Sequence, residues 1–131
     1  MKVIDSSVLV KYFSGEPGWE RAEQALLDVV VTLPLAVKEV ANALWKKVLR
    51  GELGPEAARR VATDLALGAV PLYRQEPLMA RALELALEAR ITVYDALFIA
   101  LAEHLGAPLV TADRRQAEAA RRLGLEVELV A

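Results

Sequence analysis

Short apolar runs alternate along this chain with longer segments in which apolar residues return every three or four positions, and Gly, Pro and Thr mark where each segment ends. Lys2 to Ile4 reads as a first strand, with Ser6 or Ser7 as N-cap of a short helix through Phe13 and a turn over Gly15 to Gly18. Trp19 to Asp28 is then a helix, and Val29 to Thr32 a second strand. Pro34 leads into a helix from about Leu35 to Arg50 that Gly51 stops. Gly54-Pro55 opens the next helix, which runs to about Leu67, and a short strand or extended piece follows around Val70 to Leu72. Pro77 starts a helix ending near Arg90, and Thr92 caps another over Val93 to Leu105, ended by Gly106. Leu109 to Thr111 reads as a buried strand, Arg114 to Leu123 as a helix closed by Gly124, and Glu126 to Leu129 as an alternating edge strand.

Strands separated in this way by helices predict an α/β fold in which a short parallel sheet is covered on both faces. The 131 residues form one predicted domain, residues 1 to 131, long enough to bury about two-thirds of the unfolded surface. Hydrophobic residues make up 55% of the chain, an excess that leaves apolar surface for a partner interface. The longest apolar stretch, Val29 to Val37, is broken by Thr32 and Pro34 and falls short of the roughly 20 residues a membrane helix needs. Asp5 interrupts the first apolar segment too early for a signal peptide, so a cytoplasmic protein is expected, with no membrane partner.

Composition then removes much familiar chemistry. Without cysteine there is no disulfide, thiolate nucleophile or Cys-based zinc site, and a single histidine excludes a His-pair mechanism. Serine occurs only at positions 6, 7 and 14, outside any nucleophile elbow, and no phosphate-cradling glycine loop is present. Carboxylates remain. Asp5 and Asp113 follow strands, at the sheet edge where ligands bind in open parallel sheets, while Glu39 and Asp95 fall in opening turns of helices. Folding can bring all four into one pocket, and an oxygen-only donor set selects a hard cation, Mg²⁺ or Mn²⁺. Such an ion neutralises a phosphodiester and activates a water for in-line attack.

Each acid also has a purely local reading. Asp5 could be a turn or cap residue, and Glu39 a helix-dipole residue, although its apolar neighbours Val40 and Leu44 make an unpaired charge costly there. Thr92-x-x-Asp95 resembles a capping box, and Asp113 could cap a helix beside Arg114 and Arg115. Both roles can hold together, because a helix N-terminus tolerates concentrated negative charge. Thr111 points to the same edge as Asp113, where it could bond a scissile phosphate or a neighbouring acid. His104 is expected to be a partly buried or helix-terminal residue without catalytic work.

The segments Val3-Ile4-Asp5-Ser6-Ser7-Val8-Leu9-Val10, Lys38-Glu39-Val40-Ala41-Asn42-Ala43-Leu44, Tyr94-Asp95-Ala96 and Thr111-Ala112-Asp113, in this order, resemble the PIN-domain nucleases, and among them the VapC-type toxins of bacterial toxin-antitoxin pairs. The resemblance covers nearly the whole chain. It implies a PIN-like three-layer fold and makes Asp5, Glu39, Asp95 and Asp113 the catalytic and metal-binding acids. It also implies a supporting hydroxyl at Ser7, which either orients Asp5 or caps the helix, and a polar residue at Asn42 that holds a water or Glu39, or is simply exposed. Thr111 is a third supporting residue, and Arg114 and Arg115 are candidates for meeting the RNA backbone.

The implied activity is metal-dependent hydrolysis of single-stranded RNA, leaving a 5′-phosphate and a 3′-hydroxyl, with a VapB-like antitoxin and a homodimer as expected partners. The helices Pro55 to Leu67 and Pro77 to Arg90 are the expected contact surfaces. A formal charge of −2 is unusual for a nucleic-acid enzyme, but without the four proposed site acids the body carries 16 basic against 14 acidic residues. Within the family the alternatives are an RNA-processing nuclease that acts without an antitoxin and an inactive interaction module. A phosphoacceptor signalling domain would need a lysine on a late strand, and this chain has none after Lys47.

Overall fold

The computed structural model describes all 131 residues, Met1 to Ala131. Four strands, β1 (Lys2–Ile4), β2 (Val30–Val31), β3 (Leu109–Thr111) and β4 (Val127–Leu129), form one sheet in the order β2-β1-β3-β4. Every pairing is parallel, with Lys2 opposite Val30, Ile4 opposite Val110 and Thr111 opposite Leu129. Successive strand residues point to opposite faces, and Val3 and Ile4 are both wholly buried, so both faces of β1 are covered.

Seven α-helices supply that cover: α1 (Ser6–Phe13), α2 (Trp19–Leu26), α3 (Pro34–Leu49), α4 (Pro55–Ala66), α5 (Met79–Ala89), α6 (Val93–Leu105) and α7 (Arg114–Arg122). Helix α6 packs on β1 and β3 with α5 beside it, α7 lies on β3 and β4, and α1 is flanked by α2 and α3. Seven consecutive α6 residues, Ala96 to Ala102, are buried. A helix apolar all round is a core helix, which is why α6 holds Asp95 at a fixed place. Arg81 of α5 makes a two-pronged bond to Glu103 of α6, at 2.7 and 3.0 Å, and ties the two helices together.

Several local expectations are corrected. Asp5, rather than Ser6 or Ser7, is the N-cap of α1: its extended backbone precedes the helix and its side chain accepts the Ser7 N–H at 3.1 Å. Helix α2 stops at Leu26, short of Asp28. The piece around Val70 to Leu72 contributes one parallel bridge, Thr32 with Leu72, and no strand. A single 3-10 turn, Glu76–Leu78, absorbs Pro77, so α5 begins at Met79. Strand β4 does lie at the sheet edge, but its three residues are all half-buried and show no alternation. His104 lies in the last turn of α6, as its helix-terminal reading has it; it is exposed, and its Nε2 lies 3.0 Å from the Tyr73 hydroxyl. No helix is long and apolar enough to cross a membrane.

Candidate functional site

Asp5 leaves the end of β1 and Thr111 ends β3, and the parallel register places them side by side. Asp5 is only 5% exposed, and its carboxylate is held from two sides. Ser7 Oγ donates to Oδ1 at 2.5 Å, and Thr111 Oγ1 donates to Oδ2 at 2.5 Å. Each hydroxyl in turn accepts a backbone N–H from the loop after β3: Ala112 N–H donates to Ser7 Oγ at 2.8 Å, and Asp113 N–H to Thr111 Oγ1 at 3.1 Å. Two hydroxyls therefore couple the Asp5 carboxylate to the loop that carries Asp113. The Ser7 side chain orients Asp5, and capping falls to Asp5 itself.

Burial pushes the Asp5 carboxyl up to about 6, against the opposing effect of the Ser7 and Thr111 hydrogen bonds. With Oδ1 taking both Ser7 groups and Oδ2 taking one hydroxyl, Oδ2 retains acceptor capacity for a further partner.

Helix α3 has no side-chain cap of its own, and Gln75 from a distant loop accepts the Leu35 N–H at 2.9 Å. Its next turn carries Glu39, half-buried, with Oε1 accepting from Ser6 at 3.0 Å. Burial raises the Glu39 carboxyl above its usual range; the Ser6 bond opposes this, and the charge of Asp95 adds to it. Asp95 lies in the first turn of α6, where the Thr92 hydroxyl accepts the Asp95 N–H at 3.1 Å. Its carboxyl is raised first by burial and then by the Asp113 charge, while Thr92 and Arg115 pull the other way. Asp113 is the exposed N-cap of α7 and accepts from Arg115 N–H at 2.9 Å. Asp5 and Asp113 thus both cap helices, as the local reading of each predicts.

The acids do not share a single cavity. Glu39 lines a cleft of about 520 Å³ with Ser6, Ser7, Asn42 and Ala112, while Asp95 and Asp113 line a neighbouring one of about 270 Å³ with Thr92, Arg115 and Gln116. Asp5 is buried between their linings, bonded to Ser7 of the first and, through Thr111, to the loop of the second. No three Asp, Glu or His side chains stand close enough to cage a bare ion. The oxygen-only donor set suits a hard divalent cation that keeps several of its waters and takes only one or two carboxylates directly. The charge of Asp95 reaches Glu39, and that of Asp113 reaches Asp95, so the two clefts are electrostatically linked.

Asn42 is exposed and lines the larger cleft, one turn beyond Glu39. Arg115 lines the smaller cleft; Arg114 is exposed and lines neither. Sequence reading missed Ser6 as the partner of Glu39, and it missed Lys11, Lys46, Lys47 and Arg50, which line the larger cleft. The spacing of Asn42, Lys46 and Arg50 from Glu39 on one helix face was the available signal. Gln116 was also missed: it is 3% exposed and its Nε2 donates to the Asp95 carbonyl at 2.9 Å, tying the first turn of α7 to that of α6.

A family model described as "PIN domain" matches residues 2–122. Ribonuclease VapC3 of Pyrobaculum aerophilum is 38% identical over 120 residues, spanning 88% of this chain and 92% of that relative. Among solved structures, PAE2754 from Pyrobaculum aerophilum superposes with a TM-score of 0.72 at 28% identity, covering 96% of this chain and 82% of that one. A toxin-antitoxin complex from Klebsiella pneumoniae shares the fold at a TM-score of 0.71 and 20% identity, covering 100% of this chain and 98% of that one.

Proposed function

Because the chain belongs to the PIN-domain family, we propose that it is a VapC-type endoribonuclease toxin that uses Mg²⁺ or Mn²⁺ to hydrolyse phosphodiester bonds of single-stranded RNA. The observation that carries this reading is the Ser7–Asp5–Thr111 hydrogen-bond system, which fixes one carboxylate at the strand ends and ties it, through Thr111, to the loop of Asp113. A bound divalent ion supplies charge neutralisation of the phosphodiester and a more acidic attacking water. Asp5, Glu39, Asp95 and Asp113 are the residues that hold it.

The chain's own contribution is preorganisation. Ser7 and Thr111 remove the rotational freedom of Asp5, so its free acceptor capacity is aimed before any ligand arrives. Ser6 engages Glu39 Oε1 and leaves Oε2 uncommitted. Gln116 holds the backbone of Asp95 in register with α7, and Arg115 lies beside Asp95 and Asp113, where it can meet a phosphate oxygen. The name of the 38% identical relative supports ribonuclease activity.

An antitoxin partner in the cytoplasm belongs to the same proposal. It is supported by that relative's VapC name and by uncovered apolar side chains on α3, where Trp45 and Leu49 are exposed. Purified protein incubated with structured and unstructured RNA, in Mg²⁺, Mn²⁺ or chelator, tests the reading. Cleavage of the unstructured RNA that chelator abolishes is expected, and undiminished cleavage in excess EDTA refutes it.

A further inference from the structure

The larger cleft contains a cation that the acids do not explain. Lys11, on α1, is 9% exposed, yet it lines the cleft and joins none of the seven ion pairs in the protein. Its side chain runs past Gly18, where a Cβ would fall 3.1 Å from Lys11 Cε and 3.3 Å from Nζ. Gly18 adopts φ +86°, which favours glycine, so the backbone leaves this room for the ammonium group. Lys11 buries its stem and keeps its ammonium open to the cleft, an arrangement that leaves the charge available to an entering anion.

The remaining wall is also basic. Four cations, Lys11, Lys46, Lys47 and Arg50, face two carboxylates, Glu16 and Glu39, in a protein whose formal charge is −2. Glu16 neutralises Lys47 at 2.8 Å and Glu52 neutralises Arg50 at 2.8 Å. Lys11 and Lys46 are left without an ion-pair partner. Lys46 stands two turns beyond Glu39 on the same face of α3.

We propose that the cleft between α1 and α3 is a phosphate-binding subsite for the RNA strand, centred on Lys11 and completed by Lys46, so that the substrate backbone follows α3 from Glu39 towards Arg50. This rests on the ribonuclease reading for the identity of the ligand. The cationic groove and the neighbouring acids give the strand a polarity: one phosphate lies among the carboxylates, and the next ones lie on the lysines.

The test is equilibrium binding of a short fluorescent single-stranded RNA in EDTA, across a salt series, to the wild type, Lys11→Met, Lys46→Gln and Arg122→Gln. Methionine keeps the buried stem of Lys11, and Arg122 is an exposed control outside the cleft that removes the same charge. Each cleft variant is expected to bind more weakly and to lower the salt slope by about 0.7, the value for one lost phosphate contact on a single strand. The control keeps the wild-type slope. Cleft variants that behave like Arg122→Gln overturn the subsite. Should Lys11→Met fail to fold by circular dichroism, the exposed Lys46→Gln decides alone. Wild-type cleavage of the same RNA in Mg²⁺ is read in parallel. Cleavage with unchanged slopes removes the subsite and leaves the nuclease, whereas reduced slopes without cleavage establish the subsite and remove the nuclease.

Discussion

Thr111 donates its hydroxyl to Asp5 Oδ2 at 2.5 Å across two neighbouring parallel strands, while the same oxygen of Thr111 accepts the Asp113 N–H at 3.1 Å. Thr111 is wholly buried, so no water substitutes for either bond. Thr111→Val is expected to destabilise the metal-free protein by about 1–3 kcal/mol, the cost of leaving buried polar groups unpaired. Thr111→Ser keeps the hydroxyl and should lose much less. Urea denaturation of both variants in EDTA measures the difference, and equal midpoints would show that the bond contributes nothing.

Burial raises the folded-state pKa of Asp5 from 3.8 to about 6. A carboxyl whose folded pKa lies above its unfolded value binds protons more tightly when folded, so its contribution to stability falls as pH rises between those values. The gap, already net of the charge-assisted bonds from Ser7 and Thr111, corresponds to up to about 3 kcal/mol. Asp5→Asn should therefore match or exceed the wild type in metal-free thermal melts above about pH 6, with the advantage shrinking towards about pH 4. A variant less stable at every pH would contradict the desolvation account. The origin is burial, and like-charge repulsion is instead felt at Glu39 and Asp95.

At Asp95 two effects oppose. Replacement by Asn relieves burial of charge and repulsion from Asp113, but loses a helix-dipole interaction of about 0.3–1 kcal/mol. Little net change in metal-free melting temperature is expected, with RNA cleavage lost. Calorimetry beside a cleavage assay checks both, and retained cleavage would place Asp95 outside the site.

The apolar excess seen in the sequence emerges partly on α5, where Met79, Leu83 and Leu87 are exposed, and on α4, where Leu65 is the sole buried residue and Leu67 beyond it is exposed. A homodimer through these helices is expected to appear in light scattering, and Leu83→Glu with Leu87→Glu to return it to monomer. Monomer mass for the wild type at high concentration would count against the dimer.

How much of this was legible depended on whether the signal was local. Helix α6 was read to the residue, because Thr92 caps its start and Gly106, at φ +60°, ends it. The four acids stood out in the sequence because each follows a strand or falls early in a helix, positions a one-dimensional pattern displays. The N-cap of α1 was not, since Asp5, Ser6 and Ser7 are all good capping residues and only geometry chooses among them. Lys11 and Lys46 are far apart in sequence and become a pair only when α1 packs against α3. The two-cavity division around the buried Asp5 likewise depends on side-chain packing, which periodicity does not encode.

Carboxylates from separate elements are expected to act as one hydrolytic site. Cleavage of a single-stranded RNA in Mg²⁺ by wild type, Asp5→Asn and Asp113→Asn, with product ends identified, tests it most directly. Asn caps a helix nearly as well as Asp, so both variants should remain folded. Products with 5′-phosphate and 3′-hydroxyl ends are expected from the wild type and none from either variant. Active Asn variants, or products ending in a 2′,3′-cyclic phosphate, would contradict it.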